Sequence, residues 1–239
     1  MTEKKNPICL ITGLGEGTGG HTAKRFASSG YRLVMIARTK ERLARYEKKL
    51  KDSKGYVCDV ANIELLKETC ERIKKEIGAP EVLIHNAVKG NFDRLLDGKP
   101  EWLEENFRIN TTSLMYLAHA FIPAMVKAKK GVIIVTGNTA AKRGLANTPY
   151  FAPTKSAQRI LAQSLAKDFG PQGVHVAYLT VDASINTPWT RNRIRKQINQ
   201  PDIIFVQPKD IANEIFHIAH QKRSAWSFDV EIRPDIEKW

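Results

Sequence analysis

Ile8-Cys9-Leu10-Ile11-Thr12 runs straight into Gly13-Leu14-Gly15-Glu16-Gly17-Thr18-Gly19-Gly20, an apolar stretch that ends in five glycines within eight positions. Continuous hydrophobicity over 8–12 predicts a strand buried on both faces, and the spacing of apolar residues over 18–29 predicts a helix. Glycines crowd such a junction for two reasons. Some positions need backbone angles closed to other residues, and a missing Cβ lets a ligand approach the main chain. The helix beyond presents unpaired N–H groups and the positive end of its dipole, which together suit a phosphate. Gly13, Gly15, Gly17 and Gly19 are therefore candidate cradle residues.

Outward from that junction the same alternation repeats. Residues 31–37, 55–60, 81–85, 131–137, 174–181 and 227–232 read as further strands, and 39–53, 62–77, 100–128, 150–169 and 208–221 as helices. Strands alternating with helices imply right-handed βαβ crossovers and a parallel sheet covered on both faces. The expected fold class is α/β, a single doubly wound parallel sheet (a Rossmann fold) over residues 1–239, with 183–207 as a substrate lid. No repeat or Pro/Gly-rich linker divides the chain.

The composition is globular, with 42% hydrophobic and 26% charged residues. Its 38 Lys+Arg against 25 Asp+Glu give a net charge of +13, which favours anionic partners of some kind. Nucleic acid is not expected, because the basic stretches lack interleaved aromatics and no known binding module appears. Cys9, Cys58 and Cys70 have no metal-like spacing and read as small buried hydrophobes in a reducing compartment. No apolar run is long enough for a membrane span, so a cytoplasmic protein is the expectation.

The second strand ends at Ala37-Arg38, where an enzyme using the non-phosphorylated dinucleotide would place an acid to read the ribose. Arg38 can instead pair with a ribose 2′-phosphate, with Lys40 and Arg42 close behind in sequence. NADP is therefore expected over NAD, although Glu16 beside the glycine loop counts against it.

Over nearly its whole length the sequence resembles the short-chain dehydrogenase/reductase family. The resemblance rests on Thr12-Gly13-xxx-Gly17-x-Gly19, on Asp59-Val60 as an adenine-contacting pair, and on His85-Asn86-Ala87-Val88 in place of Asn-Asn-Ala-Gly. It extends to Asn110 in a helix, to Lys155 within Pro153-Thr154-Lys155-Ser156-Ala157, and to Thr187-Pro188. It implies that Asn86, Lys155 and Thr187 hold the cofactor, that Lys155 is also the active-site lysine, and that Asn110 supports a proton-relay water. It also implies pairing of the helices near 100–128 and 150–169 in a homodimer or homotetramer.

Two departures bear on chemistry. The family's tyrosine, four residues before the lysine, is Phe151 here, and its serine is Asn138. Phe151 has no exchangeable proton and cannot act as acid or base. Tyr150 is the substitute to test, although five residues from Lys155 puts it about 140° around a helix. Asn138 can still donate a hydrogen bond to a carbonyl oxygen. The basic run 191–196 could meet an anionic substrate such as an acyl-CoA or acyl-carrier thioester. Two readings follow. One is an NADP-dependent oxidoreductase acting on a carbonyl or activated C=C with a non-standard acid/base group. The other is an NADP-binding sensor or partner subunit without turnover.

Overall fold

The computed structural model describes residues 6–195 and 205–236, with the side chains of 193–195 outside that description. Of the basic run 191–196, only Arg191 and Asn192 have described side chains, and Lys196 lies outside the described residues.

The chain order is β1 (Ile8–Thr12), α1 (Thr18–Ala27), β2 (Arg32–Ala37), α2 (Lys40–Lys49), β3 (Ser53–Val57), α3 (Ile63–Glu76) and β4 (Val82–His85). Then come α4 (Glu101–Phe107), a π turn (Arg108–Thr112), α5 (Ser113–Ala128), β5 (Gly131–Asn138), a short 3-10 turn (Thr139–Ala141), α6 (Ala152–Phe169) and β6 (Val174–Val181). The last elements are β7 (Ser184–Ile185), α7 (Pro188–Arg195), β8 (Phe205–Val206), α8 (Pro208–Ala219) and β9 (Asp229–Ile232). Seven strands form one parallel sheet in the order β3-β2-β1-β4-β5-β6-β9, the expected doubly wound Rossmann fold. A separate pair, β7 with β8, sits within the segment expected to be a lid.

Successive side chains of a strand point to opposite faces, so β1 feeds two cores at once. Leu10 joins Val34, Leu83 and Ile133 on the face packed by Leu117 and Phe121 of α5. Cys9 and Ile11 join Met35, Ile84 and Leu179 on the face packed by Phe26 of α1 and Ile211 of α8. Each fully buried Leu or Ile contributes roughly 1.5–3 kcal/mol relative to exposure. All three cysteines are buried and free. Among the described residues no helix is long and apolar enough to cross a membrane.

Three boundaries differ from the sequence reading. The second helix stops at Lys49 rather than residue 53, because Leu50 already turns extended (φ -113°, ψ 116°); Asp52 then takes a left-handed backbone (φ 54°) and pairs with Arg32 at 3.2 Å. The third strand is 53–57 rather than 55–60. After Cys58 N–H bonds Ala37 O the chain leaves the ladder, and Asp59 turns to accept from Ala61 N–H. The long helix expected over 100–128 is α4 and α5 joined through the π turn.

The glycine loop is clamped from α2. The Tyr46 hydroxyl donates to Gly15 O at 2.9 Å, and a Cβ on Gly20 would lie 1.9 Å from that same hydroxyl oxygen. Overpacking of this kind costs about 1–3 kcal/mol. Gly20→Ala is therefore expected to lower the unfolding free energy by an amount in that range, read as a lower urea midpoint. An unchanged midpoint would mean that Tyr46 does not bear on α1.

Candidate functional site

The strand order reverses between β1 and β4, and in open parallel sheets ligands sit beyond the carboxyl ends of the strands at such a switch point. A crevice of about 460 Å³ opens there, lined among others by Gly13, Gly15, Gly17, Gly19, Asn86 and Thr187. Its other end is lined by Arg38, Arg42, Asp59 and Val60. Every residue the sequence nominated for cofactor contact thus meets in one crevice, except Lys155.

Close approach explains the glycines. Gly13 has φ 68°, and a Cβ there would lie 2.7 Å from the backbone of Ala87. A Cβ on Gly19 would lie 2.6 Å from Gly13 O. One on Gly17 would meet the Thr187 methyl at 2.9 Å, so the segment after β6 rests on the loop. Gly15 differs from the rest: nothing stands within 4 Å of its would-be Cβ. It borders open space rather than protein.

At the start of α1, Gly17 gives no side-chain cap and the first turn holds no acid. The Thr18 hydroxyl lines the crevice, is buried, and has no partner in the protein. An orphaned buried hydroxyl beside free helix N–H groups is what a phosphate would satisfy. At the far end, Arg42 donates to Leu14 O at 3.4 Å, while Arg45 pairs with Glu16 at 3.5 Å. Glu16 therefore has its own cation, and Arg38 is left exposed on the crevice wall.

The inner half of the site departs from expectation. Tyr150 turns its hydroxyl away onto Leu95 O at 2.5 Å and packs edge-on against Trp102. Helix α6 begins only at Ala152, so residue 150 precedes it, and Asn106 holds the Tyr150 carbonyl at 2.9 Å. This geometry withdraws Tyr150 from the acid–base candidates. Phe151 is buried against Phe92, with ring centroids 4.9 Å apart. The Asn138 side-chain oxygen accepts from Ala140 N–H at 3.2 Å, so the amide nitrogen is its donor end. Asn110 clasps the backbone of Lys89 from both sides, through Oδ1 and Nδ2, and also donates to Thr154 Oγ1 at 2.8 Å.

Lys155 is buried and does not line the crevice. Its amine donates to Thr136 O at 3.1 Å and to Gln158 Oε1. Thr136 Oγ1 in turn donates to Asn86 Oδ1 at 3.1 Å, so the lysine stands one layer behind a crevice residue. Burial pulls its amine down to about 7. His85 lies beyond Gln158 and is held far down, to about 3, first by burial and then by the lysine. Sequence reasoning did not single out Gln158 or Ser113, because an amide and a hydroxyl at helix positions carry no motif.

Sheet order and crevice place the chain in the doubly wound class that binds ligands at the switch point. Residues 7–198 match the short chain dehydrogenase family, and the chain belongs to that family of oxidoreductases. An uncharacterized oxidoreductase of Staphylococcus saprophyticus is 24% identical, with 98% of this chain and all of the relative covered. A metagenomic short-chain oxidoreductase in complex with NADP superposes with a TM-score of 0.82 at 24% identity, covering 97% of this chain and 98% of the other. An NADPH-bound short-chain oxidoreductase of Pseudomonas aeruginosa, described as containing an atypical catalytic center, gives 0.86 at 19% identity, covering 98% and 97%.

The Lys155 amine has a consequence for stability. The unfolded chain keeps the ordinary lysine value of 10.5, against about 7 when folded. Between those values the unfolded state binds more protons, so the lysine makes stability rise with pH across that window. The stability of the wild type relative to Lys155→Met, read by urea unfolding, is expected to climb from pH 7 to pH 10. A difference that is flat with pH would refute the assignment.

Proposed function

We propose that this protein is an NADP-dependent oxidoreductase that reduces a carbonyl or an activated C=C bond, with Lys155 handling the proton in place of a tyrosine. The observation that carries the reading is the crevice itself. Its centre is open at Gly15, an orphaned Thr18 hydroxyl stands at the α1 terminus, and Arg38 and Arg42 wall the other end beside Asp59 and Val60. Those residues fit a dinucleotide with a phosphorylated ribose. The pyrophosphate would lie against Gly15 and the first turn of α1, the 2′-phosphate against Arg38 and Arg42, and the adenine against Asp59 and Val60.

Bound NADPH would supply the hydride. What remains for the chain is to orient the acceptor and provide a proton. The amide nitrogen of Asn138 suits a carbonyl oxygen, as a donor that stabilises developing charge without giving up its proton. With Tyr150 tied to Leu95, Phe151 lacking a hydroxyl and Lys89 of the crevice wall paired with Glu105, the buried Lys155 Nζ behind Asn86 is the amine left to handle the proton. An amine near 7 is matched to proton transfer at neutral pH. The charge balance supports an anionic substrate, an acyl-CoA or acyl-carrier thioester among them. Met115 on α5 and Ile160 on α6 are exposed, which supports pairing of these helices with a second copy.

A second reading, NADP binding without turnover, is favoured by one observation: both bonds found for the Lys155 amine point into the protein.

Two measurements test these readings. Arg38→Ala is expected to weaken NADPH binding roughly ten- to hundredfold, the worth of a charge-assisted contact, while NADH binding barely moves. Equal losses for both cofactors would remove Arg38 from the 2′-phosphate. In the second, protein and stereospecifically deuterated NADPH are mixed with a metabolite extract and products read by mass spectrometry. A deuterated product that is absent with Gly15→Val, a variant expected to fold normally, identifies substrate and activity together. Binding of NADPH with no transfer to any compound favours the second reading.

A further inference from the structure

Behind the crevice lies a string of buried polar side chains whose protons can all be assigned. Ser113 Oγ donates to Ile109 O at 2.7 Å, so it must accept from His85 Nε2 at 2.9 Å. That puts the imidazole hydrogen on Nε2 and leaves Nδ1 an acceptor. Gln158 Nε2 lies 3.2 Å from His85 Nδ1 and 2.5 Å from Asn110 O. A backbone carbonyl only accepts, so the nitrogen end of the amide must face it. The oxygen end is thereby fixed toward Lys155. The string closes on two carbonyls of the π turn, Ile109 and Asn110, and both amide hydrogens of Gln158 are used.

We propose that Gln158 is the positioning residue of Lys155: its carboxamide, oriented by His85 and the π-turn carbonyl of Asn110, fixes the amine in one direction. The inference rests on the oxidoreductase reading above and deepens it. A neutral amine has two N–H groups and one lone pair. Gln158 Oε1 and Thr136 O receive those two hydrogens, so the third valence is the one that gains and loses the proton. During reduction the hydride would go from NADPH to the substrate carbon. The proton on that third valence would pass, through a water bridging the layer between amine and crevice, to the oxygen or to the second alkene carbon. Lys155 is then left neutral, with both inward bonds intact, and is recharged from solvent.

The charge environment fits this role. The amine meets Thr136 O of β5 and Gln158 of α6, and His85, Asn110 and Ser113 follow along the string. His85 is the one titratable group among these, and burial keeps it neutral. None is a carboxylate, and a carboxylate would lock the lysine in its charged form.

The test is NMR titration of the lysine side chains in the full protein labelled with 13C-lysine, with Lys155 assigned by Lys155→Met. The wild-type Lys155 signal is expected to titrate near neutrality. In Gln158→Glu a carboxylate replaces the amide oxygen, and the midpoint should rise by about 2 units or more. In Gln158→Met, which carries no charge and preserves volume, it should move by about 1 unit or more. Midpoints that agree within a few tenths of a unit across the three proteins overturn the proposal, and the Met variant alone decides if the Glu variant does not fold. A second readout follows deuteride transfer against pH: its half-maximal point should track the Lys155 midpoint from variant to variant, and a point that stays fixed while the midpoint moves overturns the link to reaction. Moving midpoints with no transfer in any protein would instead sink the oxidoreductase reading and leave the positioning role standing.

Discussion

The backbone N–H groups of Asn86 and Ala87 both reach the buried hydroxyl of Thr12, at 3.1 and 3.2 Å, and the Asn86 amide returns the contact by donating to Gly13 O at 3.0 Å. This clasp joins the carboxyl ends of β1 and β4, the two strands from which the chain departs to opposite sides of the sheet. It requires Gly13 to carry no side chain, since a Cβ would strike Ala87. With the two ends pinned together, α1 is aimed at the crevice and the segment after β4 becomes its opposite wall. Thr136 extends the same grip to β5 by bonding Asn86 Oδ1. The crevice is therefore a product of three strand ends held by four polar contacts, and the helices around it follow.

Inside that frame the two halves of the site are built by different physics. The outer half is glycine, helix terminus and arginine, arranged around open space. The inner half is filled by the protein. Aromatic pairs, Phe92 with Phe151 and Trp102 with Tyr150, take the volume on one side, and a saturated hydrogen-bond string takes the other. A buried polar network of this sort rigidifies its surroundings only when every member is satisfied, and here His85, Gln158 and Ser113 each meet that condition. The result is an amine whose position owes nothing to a neighbouring acid.

How far the sequence could be read follows from the range of each signal. The glycine junction and the strand runs are local patterns with a strong physical cause, so the doubly wound sheet, the crevice glycines and Arg38 could be found from them, while Asp59, Val60, Asn86 and Thr187 came from the family resemblance alone. Boundaries set by one unusual residue were harder. Leu50 ends a helix by turning extended two residues before the left-handed Asp52, and nothing in the periodicity marks it. The direction of a side chain was harder still. Tyr150 and Lys155 sit near each other in sequence, yet one hydroxyl is captured by a carbonyl 55 residues away and one amine by a core amide. Gln158 acts through partners on β4 and in the π turn, which no spacing along α6 could reveal.

The π turn holds one consequence beyond the contacts it makes. An extra residue in a helix advances all that follows by about 100°. Residues before and after Arg108–Thr112 therefore keep separate phases: α4 buries Asn106 alone, while α5 lays Leu114, Leu117, Phe121 and Met125 against the sheet. The turn works as a seam between two tasks. Helix α4 grips the turn ahead of α6, where Asn106 holds the Tyr150 carbonyl and Trp102 packs on its ring. Helix α5 lies on the sheet and lends Ser113 to the buried string.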